Sequence, residues 1–377
     1  MDLGLWDDWL KQEVGTFFLR RNDMRYLGLL AVAGLVLGFA AAAGAVADQL
    51  TCLQNGGDRL VATQNSDGGW GWPVAGASAT NTVAPIAMGL SGAYSATGDA
   101  NQLTALQKAG TFLLAKTNNF SPSDGYLAVE LDRVLGGTTY SQYVVTNYYD
   151  KLAAGTYNRN GAGTLYNTAD YVELIRTSRS GTQANMGAWD IGIGLYAAAK
   201  IGADTTAWKN GTETEVNALD AGNYYAQLGL AGSILGLAAS GDTSFDPTSG
   251  SYASATDVRD LANTLTGYQI GGGGVTWYGG AMDPGNETTQ ETAYSILAWL
   301  AVDSATYGSN VAGAAAWLRS EQLSNGGFGN YAGDAENNEI TGEALWAVSA
   351  TPEPATMLLL GSGFVGLLGV IRRRRGK

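Results

Sequence analysis

The chain has 377 residues and a formal net charge of −13, with 34 acidic against 21 basic side chains, no histidine and a single cysteine, Cys52. Without histidine, Ser-His nucleophilic catalysis and histidine metal sites both drop out, and a lone cysteine cannot close an internal disulfide. An acidic surface also argues against nucleic acid and anionic membrane as partners.

At the front, Met24-Arg25-Tyr26 followed by Leu27–Ala47 has the form of a secretory signal: a basic start, an apolar core and Ala45-Val46-Ala47 as a small-residue cleavage site. The preceding residues are acidic at Asp2, Asp7 and Asp8. Either they form a long n-region ending in Arg20-Arg21, or translation starts at Met24. Leu27–Ala47 is also long enough to remain as a membrane anchor. The expected organisation is an extension and signal over 1–47, a folded body over 48–351 and a sorting and anchor segment over 352–377. The two ends hold nine of the 21 basic and six of the 34 acidic residues, leaving the body 12 and 28, a net of −16.

The body repeats. Gln64-Asn65-Ser66-Asp67-Gly68-Gly69-Trp70 returns as Gln269 to Trp277 and as Gln322 to Gly329, with a weaker relative over Lys116–Tyr126. The starts at 64, 116, 269 and 322 are 52, 153 and 53 apart, so about six units of roughly 50 residues are implied, with the missing ones near Asn167 and Asp220. Each unit reads as two helices. One is amphipathic, as over Ala100–Lys116, where Leu103, Leu106, Ala109, Phe112 and Leu113 recur at helical spacing. The other is apolar nearly all round and rich in Ala and Gly, as over Val83–Tyr94, Ile191–Ile201, Tyr225–Ala239 and Ala293–Val302. A helix apolar on every side is buried on every side. Outer amphipathic and inner buried helices in alternation describe an all-α fold, an (α/α)6 toroid of about six helix hairpins. An open helical solenoid and a β-rich surface domain are the alternatives, the second disfavoured by the 50-residue register. The Gln-x-x-Asp-Gly-Gly-Trp run at Gln64–Trp70 resembles the repeat of the squalene cyclase and prenyltransferase toroids. The likeness is specific for architecture and says little about activity.

The chemistry of those look-alikes is missing. There is no Asp-x-Asp-Asp run for protonating a terpene, no His with Cys and Asp for a prenyltransferase zinc, no Cys-Gly-Glu-Gln thioester and no Gly-Lys-Ser/Thr phosphate loop. No cofactor or metal is therefore expected. Asp334-Ala335-Glu336-Asn337-Asn338-Glu339 offers oxygen ligands for calcium, but not at EF-hand spacing. Carboxylates remain, and glycosidases work with a pair of them. Candidates near the turns are Asp67, Asp124, Asp190 and Asp283, and above all Glu287/Glu291 and Glu339/Glu343, each spaced i,i+4. Acids in a first helical turn also simply complement the helix dipole. Trp277, Tyr278 and Tyr331, with Trp70, Trp72 and Phe328, are candidate sugar-stacking rings that double as packing residues. The expected site lies between Gly279–Glu291 and Tyr331–Glu343.

The chain closes with Pro352-Glu353-Pro354, an apolar run over Met357–Ile371 and Arg372-Arg373-Arg374-Arg375-Gly376-Lys377. The prolines interrupt any helix, the run is at the short end of what spans a bilayer, and the arginines hold the C-terminus on the cytoplasmic side. This device resembles the PEP-CTERM sorting tail of Gram-negative bacteria. The resemblance implies export, transient anchoring, an exosortase-like membrane protease as partner and a final place at the cell surface or in the extracellular matrix. Two functions follow as expectations. One is a non-catalytic toroid that binds exopolysaccharide or populates the surface. The other is a glycosidase or lyase using a carboxylate pair.

Overall fold

The computed structural model describes residues 48–352, which form one compact unit. The expected signal over 27–47, Glu353, Pro354, the apolar run and Arg372–Arg375 lie outside the described residues. The helices are α1 (residues 48–63), α2 (Val83–Thr97), α3 (Ala100–Leu114), α4 (Asp124–Leu135), α5 (Thr139–Val144), α6 (Asp150–Ala153) and α7 (Thr168–Arg176). They continue as α8 (Met186–Ile201), α9 (Thr206–Val216), α10 (Ala226–Ser240), α11 (Val258–Thr266), α12 (Thr289–Asp303), α13 (Gly308–Ser320) and α14 (Asn338–Ala350). Strands are confined to two-residue antiparallel pairs, β1 (Tyr157–Asn158) with β2 (Leu165–Tyr166) and β3 (Val275–Thr276) with β4 (Glu287–Thr288). The described body is thus mostly helical, and the β-rich alternative is set aside.

The segments that are apolar all round become the buried helices. α2 packs on α4, α4 on α8, α8 on α10, α10 on α12 and α12 on α14, and α14 returns to α2. Two of these contacts are the most extensive, α8 with α10 and α14 with α2, and glycine makes both possible. A Cβ on Gly192 would run into the carbonyl of Gly232, and one on Gly342 into the backbone of Ile86, so at these crossings the helices touch backbone to backbone. α1, α3, α9, α11 and α13 lie outside, each feeding the buried helix that follows it.

The repeated Gln-Gly-Gly turn is a clasp. Gln64 Nε2 donates to Gly68 O of its own turn and to Ala105 O of α3, both at 2.9 Å. Gln269 Nε2 does the same to Gly273 O (2.7 Å) and Asn310 O of α13 (2.9 Å). Gln322 Nε2 reaches Gly326 O and Cys52 O of α1, both at 2.9 Å, so the last turn bonds the first helix. Gly326 has φ 90°, a left-handed conformation that favours glycine, and a Cβ there would strike the carbonyl of Asn55. Beneath the turns Trp70 and Phe328 are fully buried, and Trp70 Nε1 donates to Leu60 O at 2.8 Å. In the second copy the buried position is taken by Val275, two residues before the expected aromatic, and Trp277 packs elsewhere. The ends of the described body meet as well: Gln49 Nε2 donates to Val348 O (3.0 Å) and Thr351 O (3.4 Å), and Arg319 pairs with Asp48 at 2.7 Å.

Residues 136–185 depart from the expected register. Asn167 caps α7, an outer element, by accepting from Asp170 N, and the turn into the buried α8 follows only after Arg176. Asp220 does stand in a turn between outer α9 and buried α10. The outer layer between α4 and α8 is broken into α5, a π-helical stretch over Val145–Tyr149, α6 and α7. Its packing is aromatic: Tyr148 is flanked by Tyr149, Tyr157, Phe120 and Tyr171 at ring-centroid distances of 4.8 to 5.8 Å.

Candidate functional site

Six buried helices start at one end of the body, where unpaired backbone N–H groups and the positive ends of helix dipoles collect. A cavity of about 430 Å³ opens there. Asn81 and Thr82 reach it from the segment before α2, Arg179 and Gln183 from the turn before α8, and Trp189 from α8 itself. Tyr225 caps α10, Gln290 begins α12, and Asn330, Asn337 and Glu339 come from the last turn and α14. Trp72, 60 % exposed, forms the rim. Asn81 and Trp189 also line a smaller, deeper hollow with Asp190, Tyr126 and Tyr294.

Below that hollow the axis is filled by rings. Trp189 meets Tyr294 edge-on at 5.5 Å, Tyr126 lies 5.3 Å from Trp346, and Tyr294 lies 6.3 Å from Trp346. Among them sits Glu343, fully buried, accepting at Oε1 from Tyr294 Oη (3.0 Å) and Gln290 Nε2 (3.2 Å), with Oε2 unpartnered. Burial, with the neighbouring Glu339 adding to it, pushes this carboxyl well above the usual range, which favours its neutral form. Glu339, one turn nearer the opening, is pushed up to about 7, mainly by burial and then by Asp190, with Arg179 opposing. Asp190 itself is raised by burial, with the Arg179 guanidinium, 2.8 Å away, opposing the shift. Tyr225 adds backbone strain: its φ of 60° is unusual for a side chain of that size.

The segments expected to flank a site do meet. Thr289 N and Gln290 N are held by Asn330 O (2.9 Å) and Asn330 Oδ1 (3.0 Å), and Gln290 joins Glu343 as above. Yet the two glutamate pairs differ. Glu339 and Glu343 share one face of α14, whereas Glu287 lies in β4, before α12 begins. Its Oε2 accepts from Gly285 N at 2.7 Å and its chain packs on Gly274 beneath the clasp, away from the cavity. Glu291 is fully buried, takes the Thr288 hydroxyl at 2.5 Å and is raised by burial. The antiparallel pairing of β3 with β4 delays the start of α12 to Thr289, two residues after Glu287, so the two glutamates share no helical face.

Trp277, Tyr278 and Tyr331 form a cluster of their own with Tyr224, and none of the four lines the cavity. Trp277 stacks flat on Tyr224 (4.3 Å, 9°) and meets Tyr278 and Tyr331 edge-on at 4.9 and 5.8 Å. Asp67 and Asp124 serve structure. The first accepts from Gly69 N (3.0 Å) and Ser78 Oγ (2.7 Å), and the second is buried against Lys116 at 2.8 Å. Asp283 lies in the exposed β3–β4 loop. Within the calcium candidate run, Glu336 is taken by Arg59, Asn337 accepts from Glu339 N and Asn338 donates to Gly71 O, which leaves Asp334 and Glu339 as the run's carboxylates towards the cavity. Among the described residues no group of three or more acidic or cysteine side chains converges as metal ligands. Burial pushes the Cys52 thiol up to about 12, which leaves it unreactive.

Arg179, Trp189, Tyr225, Asn81, Gln290 and Asn330 were not anticipated. The available signal was position, since all lie within a few residues of a buried helix's start. Arg179 was further marked as one of only 12 basic residues in an acidic body.

This arrangement is similar to that of solved α/α proteins. A variant of the type II terpene cyclase MstE from Scytonema, solved with geranylgeranyl dihydroxybenzoate, aligns at TM-score 0.50 and 15 % identity over 83 % of this chain and 99 % of that one. A protein from Actinoplanes aligns at TM-score 0.51 and 16 % identity over 80 % of this chain and all of that one. At such identities the likeness is one of fold. No curated protein matches the chain. Residues 350–375 match the PEP-CTERM protein-sorting motif. The chain therefore carries the signal by which exported proteins are transiently anchored and handed to exosortase, a membrane protease. Among the described residues no helix is long and apolar enough to cross a membrane.

Proposed function

We propose that this is a surface or matrix protein of a Gram-negative cell whose body binds saccharide without cleaving it. The domain division is 1–47, 48–351 and 352–377, with the signal removed and the tail cut near Pro352–Pro354 at the inner membrane. The body is an (α/α)6 toroid of six outer–inner units, α5 to α7 together serving as one outer layer. The observation that carries the binding role is the composition of the 430 Å³ cavity, where carboxamides of Asn81, Gln183, Gln290, Asn330 and Asn337 alternate with the rings of Trp72, Trp189 and Tyr225. Amides satisfy hydroxyls, planar rings take the apolar faces of sugars, and concave places at helix ends favour ligands.

A second reading, cleavage by a carboxylate pair, is favoured by one observation: Asp190 and Glu339 are close neighbours whose carboxyls burial raises, and only Asp190 is hydrogen-bonded to Arg179, so the two environments differ. Full-length protein incubated with the host's exopolysaccharide separates the two. Retention with no new reducing ends is expected; reducing ends that disappear in Glu339→Gln would replace binding by catalysis. For the tail, removing Arg372–Arg375 should misplace or release the protein, and unchanged sorting would overturn the proposed route.

A further inference from the structure

The cavity's polar lining is not balanced in charge. Arg179 is its single cation and is already engaged by Asp190 at 2.8 Å. Glu339 and Asp334 then line the space without an ion pair among the described residues, Arg179 reaching Glu339 only as a longer-range charge. A second kind of observation points the same way. Thr82 lines the cavity, is only 3 % exposed, and its hydroxyl has no partner. The Trp189 Nε1 hydrogen is likewise buried and unused. A buried hydroxyl left without a hydrogen bond costs free energy, so sites built this way are completed by a ligand or water.

We infer that the cavity selects sugars bearing a free amine, with the ammonium set against Glu339 and the ring between the indoles of Trp189 and Trp72. An ammonium adds a charge that both surfaces favour: the carboxylate directly, and indole faces through cation–π attraction. A neutral hexose would leave Glu339 without a counter-ion. An acetylated amine would remove the charge, and a uronic acid would bring a second anion beside Asp190 and Asp334. The titratable and charged groups facing Glu339 are Asp190 from α8, Arg179 from the preceding turn, Asp334 from the last turn and Glu343 below it on α14. Because burial pushes Glu339 up to about 7, ammonium binding draws its proton off, so affinity rises as pH approaches 7 and falls again once the sugar's own ammonium deprotonates, at roughly pH 8 for an amine of this kind.

This inference rests on the saccharide-binding proposal, and the test keeps the two apart. Glucosamine tetramer, N-acetylglucosamine tetramer and cellotetraose are titrated calorimetrically into full-length protein in detergent at low and at physiological salt. Glucosamine tetramer should bind at least tenfold more tightly than the other two. Glu339→Gln should erase that preference without removing binding of cellotetraose, and Asp334→Asn, in an exposed loop, should weaken the amine alone by a smaller factor. Equal affinity for all three overturns the amine inference and leaves saccharide binding standing. No binding by any overturns both. A preference that survives in both variants and vanishes at physiological salt reflects attraction to the acidic surface and also overturns the inference.

Discussion

Two sectors of the body solve the same problem differently. In the sector running from α11 through α14 to α3, each outer helix is tied to the next by a Gln clasp across a Gly-Gly turn. In the sector from α5 to α8 no clasp exists, and the outer layer is a broken run of short helices held by tyrosines. A hydrogen-bonded clasp demands particular residues at fixed spacing, whereas an aromatic cluster demands only volume. The first is therefore uniform and the second free to vary. The cavity opens between them: Arg179, Gln183, Trp189 and Tyr225 come from the variable side, while Trp72, Asn330, Asn337 and Glu339 come from the regular one.

Replacing Tyr148 by Ala should give the largest loss, about 3 to 5 kcal/mol in denaturant unfolding, because it empties the centre of the aromatic cluster. Tyr148→Phe should be close to neutral, since the hydroxyl is buried without a partner. If both variants lose equally, packing is not what holds that sector. In the clasped sector Gly326→Ala should cost about 2 to 4 kcal/mol, combining left-handed strain with collision against Asn55. Gly181→Ala in the variable sector, with φ 61° and open space around it, should cost only about 1 kcal/mol. Comparable losses at the two glycines would mean that the clasp is not a close fit. Gln322→Ala, which removes two neutral hydrogen bonds, should cost about 1 to 3 kcal/mol.

A further effect is in pH. Native Glu339 holds its proton up to about 7, against 4.5 ordinarily. Between those values the folded body binds more protons than the unfolded chain, so its stability falls as pH rises through the window and levels off above it. The melting temperature of Glu339→Gln should accordingly gain on that of the unsubstituted protein from about pH 4.5 to 7. Parallel curves would place this carboxyl in water.

What could be read in advance follows the same division. Gln64, Gln269 and Gln322 with their glycines are legible because one backbone geometry requires them. The buried helices are legible because burial on all sides leaves only apolar residues. Asn167 misled because its capping role suits any helix, outer or inner. Glu287 misled because i,i+4 spacing was counted through a β-pair that delays the helix. The cavity's amides carried no pattern at all; they are ordinary residues gathered from the starts of four separate helices.

The meeting of Gln49 with Val348 and Thr351 has an orientational consequence. α14 enters beside the cavity at Asn337 and Glu339 and, at about 1.5 Å per residue, carries the chain roughly 20 Å away before Pro352. Both ends of the described body thus leave from the side opposite the opening. The cavity and the point where the described body ends lie on opposite sides of one unit, so a change confined to that end does not touch the residues that line the opening.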